Sequence, residues 1–572
     1  MAGYAGNLRP CLSRSRSPDI VKGFRVHDTR STVGRASERP SVARRPPALL
    51  AGIAILSVAA LALPLVYLVI RAGFGDAWAI VGRTATLGLV LRTLLLTLTV
   101  GIGAVVIGVP MAWFVVRSDL PGRRVWAALC CLPLAMPSFV AALALLGAFG
   151  PKGFLQQILE PFGVDRLPDI RGLLGATIAL VMATVPYVFL LTVAALRGID
   201  PALEDAARGL GRGRFGAFVT VTLPQIRRAI VGGALIAGLY VVSDLGAVSL
   251  MRYDTLTRAI FTRNQASFDR SAAAVLGLLL VALTVLFLVL EHHARGGRTS
   301  YRSDPGSARR AQPAPLGPWK VPAFIFATAV IGAFVVIPIA VLVYWFQRAA
   351  SNGSDFDVPW QAAVNSLTLA LISAVAVTSA AVPVAVLARR FRRQWTVGLE
   401  RMAYSSNALP GVVVGLALVF FGARYVPALY QTVPLLLLAY LVRYFAQALT
   451  GVDTALAAVS PRAEEAARGL GRSPMRVLAS VTLPMMRPGL VSGATLVFLS
   501  VLQELPATLL LRPTGFDTLA TRVWAKTDVG RYGQAAIPAL MLILIALPFL
   551  YIAARDGIGQ GAEDSLPAVA AT

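Results

Sequence analysis

The chain has 572 residues, of which 56% are hydrophobic and only 14% charged, with a mean hydropathy of +0.70. Soluble domains carry about 25% charged residues, so this composition excludes a water-soluble globular protein and describes an all-α polytopic membrane protein. The net charge of +25 is then a property of loops that face an anionic leaflet rather than of a nucleic-acid-binding surface.

Residues 1–47 form a basic, Ser- and Pro-containing tail with ten Lys/Arg against three acids. No apolar core precedes Ala48, so the tail does not read as a signal peptide, and disorder on the cytoplasmic side is expected. The first half, 48–291, holds six apolar runs: Ala48–Ile70, Thr93–Val116, Val125–Gly150, Leu173–Leu196, Ala229–Met251 and Ser271–Leu290. A basic linker with Pro and Gly occupies 292–320. The second half, 321–556, holds six more: Val321–Phe346, Ala362–Ala388, Met402–Gly422, Val433–Leu449, Gly489–Leu511 and Ala535–Ala554, before a short C-terminal tail, 557–572. About 20 apolar residues cross the ~30 Å hydrocarbon layer, so twelve spans are expected. Pro110, Pro133, Pro137, Pro186 and Pro410 fall within them, which is ordinary for packed transmembrane helices.

The two halves are copies. Glu204-Asp205-Ala206-Ala207-Arg208-Gly209-Leu210-Gly211-Arg212 through Leu223-Pro224 returns, 260 residues later and without a gap, as Glu464-Glu465-Ala466-Ala467-Arg468-Gly469-Leu470-Gly471-Arg472 through Leu483-Pro484. Twelve of the 21 positions are identical, in a stretch too polar for shared hydrophobicity to explain, and such repetition sets the architecture. Each copy reads as two short helices around a glycine turn. Asp200-Pro201 and Ser460-Pro461 supply an N-cap followed by proline at N1. The acidic pair at each helix start complements the dipole, Gly209, Gly211, Gly469 and Gly471 provide the turn, and Leu-Pro marks a junction. Gly211-Arg212-Gly213-Arg214-Phe215-Gly216 mimics a dinucleotide fingerprint, but no strand precedes it and the second copy lacks it.

Six spans per half make the repeat parallel, so both loops lie on one side. Arginines cluster in 117–124 and 389–401, and six Lys/Arg lie in the linker. These segments, the N-terminal tail and both repeated loops fall inside if the N-terminus is cytoplasmic, which also places the C-terminus there. Loop 252–270, with Arg252, Arg258, Arg263 and Arg270, is the one exception.

The repeated loop resembles the signature loop of ABC-importer permeases: acidic-Ala-Ala, three residues, Gly, nine residues, an aliphatic, one residue, Leu-Pro. It fits Asp205-Ala206-Ala207, Gly211, Val221 and Leu223-Pro224, and again Glu465-Ala466-Ala467, Gly471, Val481 and Leu483-Pro484. Asp205 stands where glutamate is usual. The resemblance implies the type I importer fold and a cytoplasmic coupling helix in each half, docked on an ATPase subunit, with Glu204 and Glu464 part of that stretch. A solvated hairpin without a partner is the alternative.

Polar groups inside the spans are few. Asp244 and Glu504 again lie 260 apart, and intramembrane carboxylates face a cavity or a charged partner. They are candidates for the translocation path, or structural carboxylates, with Arg443 a plausible partner for Glu504. Ser243–Leu256, Phe268–Ala274 and Gln503–Ala520 are similar to ferric-iron permeases. That likeness implies Fe(III) as cargo, a substrate-binding protein on the outer face, two ATPase subunits and residence in the bacterial inner membrane. Permeases for thiamine, polyamines or phosphonates share the plan, and a twelve-span secondary transporter is the rival from another class.

No phosphate-binding Gly-x-x-x-x-Gly-Lys-Ser/Thr loop occurs in the sequence, so ATP is expected to be used by the partner and no cofactor bound by this chain. No catalytic residue and no metal centre is expected either. His27, His292 and His293 lie in tail or linker. Cys11, Cys130 and Cys131 make no disulfide framework.

Overall fold

The computed structural model describes residues 46–72, 79–150, 153–266, 270–295, 314–351 and 358–559. The basic tail up to residue 45, most of the linker, and the tail from residue 560 lie outside them. Eleven helices among the described residues are long and apolar enough to cross a membrane. The helices Gln394–Ala408 and Gly411–Tyr425 meet at 104° and make a twelfth if counted as one span. Apolar side chains such as Leu56 and Ile70 on the Ala48–Ala72 helix are exposed, as a lipid-facing surface requires. Among the described residues there is no strand, only an isolated bridge between Ser118 and Ala314.

Four of the expected spans are broken. The third expected span splits into helices Arg123–Cys131 and Ser138–Phe149, joined by a tight turn at Leu132–Ala135. The fifth, beginning with the coil-free helix Leu223–Ser243, stops at Asp244 and resumes as Gly246–Leu250. The ninth breaks at Leu409-Pro410, and the eleventh runs Leu483–Leu502 and then Pro506–Leu511. Pro133, Pro137, Pro410 and Pro506 stand at or beside these breaks, where a residue without an N–H is least costly. Pro110 and Pro186, by contrast, sit inside intact helices.

The halves interlock. Helix Ala48–Ala72 of the first half packs on Trp360–Arg390 of the second, and Ile337–Ser351 of the second packs on Ser138–Phe149 of the first. One buried cluster accordingly joins Leu50–Ile80 and Val242–Leu283 to second-half residues. The other joins Leu96–Met251 to Ala323–Ala363 and Leu505–Ile543. The end of the linker is clamped to loop 117–124: Ala314 N–H donates to Arg117 O (2.7 Å) and Leu316 N–H to Asp119 Oδ1 (2.9 Å). That Leu316 bond, with Lys320 beside it, holds the Asp119 carboxyl below its ordinary pKa.

Candidate functional site: paired loops and a central cavity

Each repeated loop folds as the helix Pro201–Gly209 or Pro461–Gly469, followed by a turn and a second helical segment. The turn explains the signature glycine. Gly211 N–H donates to Arg208 O (3.0 Å) and Arg212 N–H to Ala207 O (3.2 Å). Gly471 and Arg472 repeat this with Arg468 and Ala467 (2.9 and 3.3 Å). This is the Schellman closure of a helix, which places its C′ residue in the left-handed region; φ is +83° at Gly211 and +78° at Gly471. Gly209 and Gly469, expected to share the turn, end their helices instead. Asp200 caps its helix by accepting from Ala202 N–H (3.0 Å), whereas Ser460 makes no side-chain cap.

Beyond the turn, the expected junction at Leu-Pro is not a break. Residues Phe218–Thr222 and Leu478–Thr482 wind as a wide π-turn and continue directly into helices Leu223–Ser243 and Leu483–Leu502. The extra residue in the turn shifts the ladder to Leu223 N–H→Phe218 O, accommodating Pro224 and Pro484, which have no N–H to give.

Side chains on the loop face two ways. Asp205, Ala206, Glu465 and Ala466 are exposed, and Leu210 and Leu470 project at 84% and 82% exposure. Ala207 and Ala467 are buried. Glu204 and Glu464 turn inward, and the sequence reading missed their partners. Glu464 Oε1 accepts from Thr482 Oγ1 (3.0 Å) and from Arg390 Nε (3.2 Å), with Arg390 Nη2 at 3.1 Å. Glu204 Oε1 accepts from Thr222 Oγ1 (2.5 Å) and lies 3.8 Å from Arg117 Nη2. Arg117 also donates to Leu196 O (3.0 Å), and Arg390 to Val459 O (3.4 Å).

At the far end of the two helices that leave these loops, the four breaks surround a cavity of about 300 Å³. Non-helical backbone at membrane depth is tolerated where it is buried in protein or lines such a space. Asp244 and Glu504 both face it, and each also organises the break it occupies. Asp244 Oδ2 accepts the N–H groups of Ala247 (2.9 Å) and Val248 (3.3 Å), while Ser138 donates to Oδ1. Glu504 Oε1 accepts from Ala507 N–H (3.2 Å), and the Tyr444 hydroxyl donates to Oε2. Gly411 stands where Ser138 stands in the other half. A Cβ there would approach Glu504 Oε1 to 2.6 Å, so the longer carboxylate occupies the space that a side chain at 411 would need.

The expected partnership of Arg443 with Glu504 is not found; among the described residues no ion pair joins them. Arg443 faces the same cavity, donates weakly to Leu409 O (3.4 Å), and keeps a buried Nε without a partner among the described residues. Tyr187, Tyr240 and Gln447 also line the space. The offset of 260 that pairs Asp244 with Glu504 pairs Tyr240 with Ser500 and Tyr187 with Gln447, a signal that sequence reading could have followed. No group of three or more His, Cys, Asp or Glu able to hold a metal ion occurs among the described residues.

A duplicated helical bundle with two interlocked halves, a repeated exposed loop and a cavity at helix breaks defines the membrane-spanning part of a transporter. Residues 104–296 and 378–555 each match the family described as the binding-protein-dependent transport system inner membrane component. The chain belongs to that family, the permease components of ABC importers. A Haemophilus influenzae protein named Fe(3+)-transport system permease protein FbpB 2 is 30% identical over 509 residues, covering 88% of this chain and 97% of its own. The ferric transport system permease protein FbpB of Actinobacillus pleuropneumoniae is 22% identical over 494 residues, 82% of this chain and 71% of its own. The molybdenum transport system permease protein ModB of Escherichia coli is 32% identical over 210 residues, 35% of this chain and 90% of its own.

Proposed function

We propose that this chain carries Fe(III) across the bacterial inner membrane, receiving it from a substrate-binding protein on the outer face. Each signature loop docks on one ATPase subunit on the cytoplasmic side, through its exposed face around Leu210 or Leu470. ATP-driven approach of the two subunits draws the loops together and opens the cavity alternately to either side. The observation that carries the substrate reading is the pairing of Asp244 and Glu504, with tyrosine hydroxyls, on one cavity. Carboxylate and phenol oxygens are hard donors suited to a hard, highly charged cation. They outnumber the single guanidinium, Arg443. The names of the long relatives point the same way. Arg443, with its unpartnered Nε, favours a second reading in which the cargo is an oxyanion.

The experiment is uptake into proteoliposomes holding the chain with its ATPase subunits and binding protein. Fe(III) supplied as the citrate complex should accumulate with ATP and not with a proton gradient alone, and molybdate should stay at background. Accumulation of molybdate instead would select the oxyanion reading, and gradient-driven uptake would contradict an ABC importer. Orientation is tested separately in intact cells, in a background lacking native cysteines. An impermeant maleimide should label Thr514→Cys and leave Ser473→Cys unlabelled.

A further inference from the structure

We infer that Glu204 and Glu464 serve as internal latches, joining each signature loop to the cavity-lining helix and to the end of the second span of its half. One carboxylate oxygen in each loop gathers two elements that the chain sequence keeps apart. From the second span comes Arg117 or Arg390, the last residue of helices Thr84–Arg117 and Trp360–Arg390. From the π-turn comes Thr222 or Thr482, at the foot of the helix that leads to the cavity. Both arginines also hold the chain just ahead of the loop helix, through Leu196 O or Val459 O.

The consequence is mechanical. Helix Leu223–Ser243 has 21 residues, about 30 Å at 1.5 Å per residue, and its end carries Asp244 at the cavity. Leu483–Leu502 likewise carries Glu504 beyond its end. A displacement of the loop therefore reaches the cavity as a rigid shift of this helix, provided the loop cannot slide on its foot. The latch prevents that sliding. The second latch lies mostly inside the chain: the Glu464 side chain is 5% exposed and Arg390 18%, with Arg468 of the loop helix, 33% exposed, on the other Glu464 oxygen at 3.4 Å, while Leu470 and Glu465 remain exposed. The first latch is looser, with Glu204 27% exposed and its arginine at 3.8 Å.

This inference rests on the ATPase-docking reading above, and the test separates the two. The full complex is purified with the chain bearing Ser500→Cys at the cavity, in a background lacking Cys11, Cys130 and Cys131. Two quantities are read: ATPase subunits retained, and the change in maleimide labelling rate of the cavity cysteine when a non-hydrolysable ATP analogue binds. Arg390→Gln should retain the subunits yet reduce the analogue-driven change by about tenfold, within the roughly 5–150-fold span of coupling between sites. Arg390→Lys should keep part of it, and Arg117→Gln should lose less than Arg390→Gln. If Arg390→Gln does not accumulate, Thr482→Val, which removes one hydroxyl and keeps the shape, should reduce the change severalfold. A wild-type labelling change in these variants would overturn the latch. So would loss of the ATPase subunits along with it, since the pair would then be shaping the docking surface only. A parent complex that retains no ATPase subunit would instead overturn the docking reading.

Discussion

The two ends of the helices that connect loop to cavity behave differently across the duplication. At the loop end the halves agree: the same Schellman turn, the same wide turn before Leu-Pro, the same Glu–Arg–Thr cluster. At the cavity end they diverge. The first half presents Asp244 with Ser138, Tyr187 and Tyr240, and the second presents Glu504 with Tyr444, Arg443 and Gln447. On the proposed function, a pair of loops that meets two copies of one partner can be symmetric, whereas a cavity that holds one small cargo is free to have unlike walls. On that reading the loop end is the generic part of the molecule and the cavity end the part fitted to its cargo.

The largest effect should come from breaking the agreement at the loops. A side chain at Gly211 or Gly471 strains a left-handed backbone by roughly 1–2 kcal/mol and, as glutamate, sets a bulky charge on the exposed face. The double variant Gly211→Glu/Gly471→Glu should insert and fold yet lose uptake entirely, measured in the same proteoliposomes. Next comes the latch as a matter of stability. Glu464→Ala leaves Arg390 largely buried and unpaired, which costs about 3–5 kcal/mol. Glu204→Ala should cost clearly less, because Arg117 lies 3.8 Å from that carboxylate and keeps its bonds to Leu196 O and Ile199 O; both are read from thermal unfolding in detergent.

The cavity end offers a sharper version of the comparison. Gly411→Ser introduces a Cβ at 2.6 Å from Glu504 Oε1 and should lower stability by about 1–3 kcal/mol. Glu504→Asp in the same chain rebuilds the Ser–Asp arrangement of the first half and should recover most of that loss. A purely additive double mutant would show that the halves are not interchangeable here. Smallest of all is the coupling of Arg443 to Glu504. With no ion pair between them, Arg443→Gln should not rescue any loss of folded yield in Glu504→Gln, and the two effects should add within about 0.5 kcal/mol.

Much of this was legible in the sequence because the duplication is ungapped from the repeated loop to the carboxylates; farther upstream the offset becomes 273, as for Arg117 and Arg390 or Ser138 and Gly411. The offset of 260 aligned both loops and both carboxylates, and the length of the apolar runs placed the spans. The breaks were legible only in part: Pro133, Pro137, Pro410 and Pro506 mark them, but Pro110 and Pro186 sit inside intact helices, so proline alone does not tell a break from a span. What could not be read is the tertiary bonding that joins the broken ends: the Ser138 hydroxyl donates to Asp244 and the Tyr444 hydroxyl to Glu504. Nor could the inward turn of Glu464 be read, because its partner Arg390 lies 74 residues upstream and looks like one of many basic residues flanking a span. Thr222 and Thr482 were visible as identities in the repeat, yet a threonine's role as donor emerges only when the π-turn swings it onto the glutamate. Arg443 was placed correctly near Glu504 and wrongly paired with it. Proximity on neighbouring helices does not fix where a long side chain points.

The central claim is that one chain presents two equivalent loops, each to its own ATPase subunit. Native mass measurement of the complex purified through this chain tests it directly. Two ATPase subunits per chain are predicted for the parent, one for Gly471→Glu, and none for Gly211→Glu/Gly471→Glu. A parent complex without ATPase subunits, or a double variant that keeps both, would contradict the account.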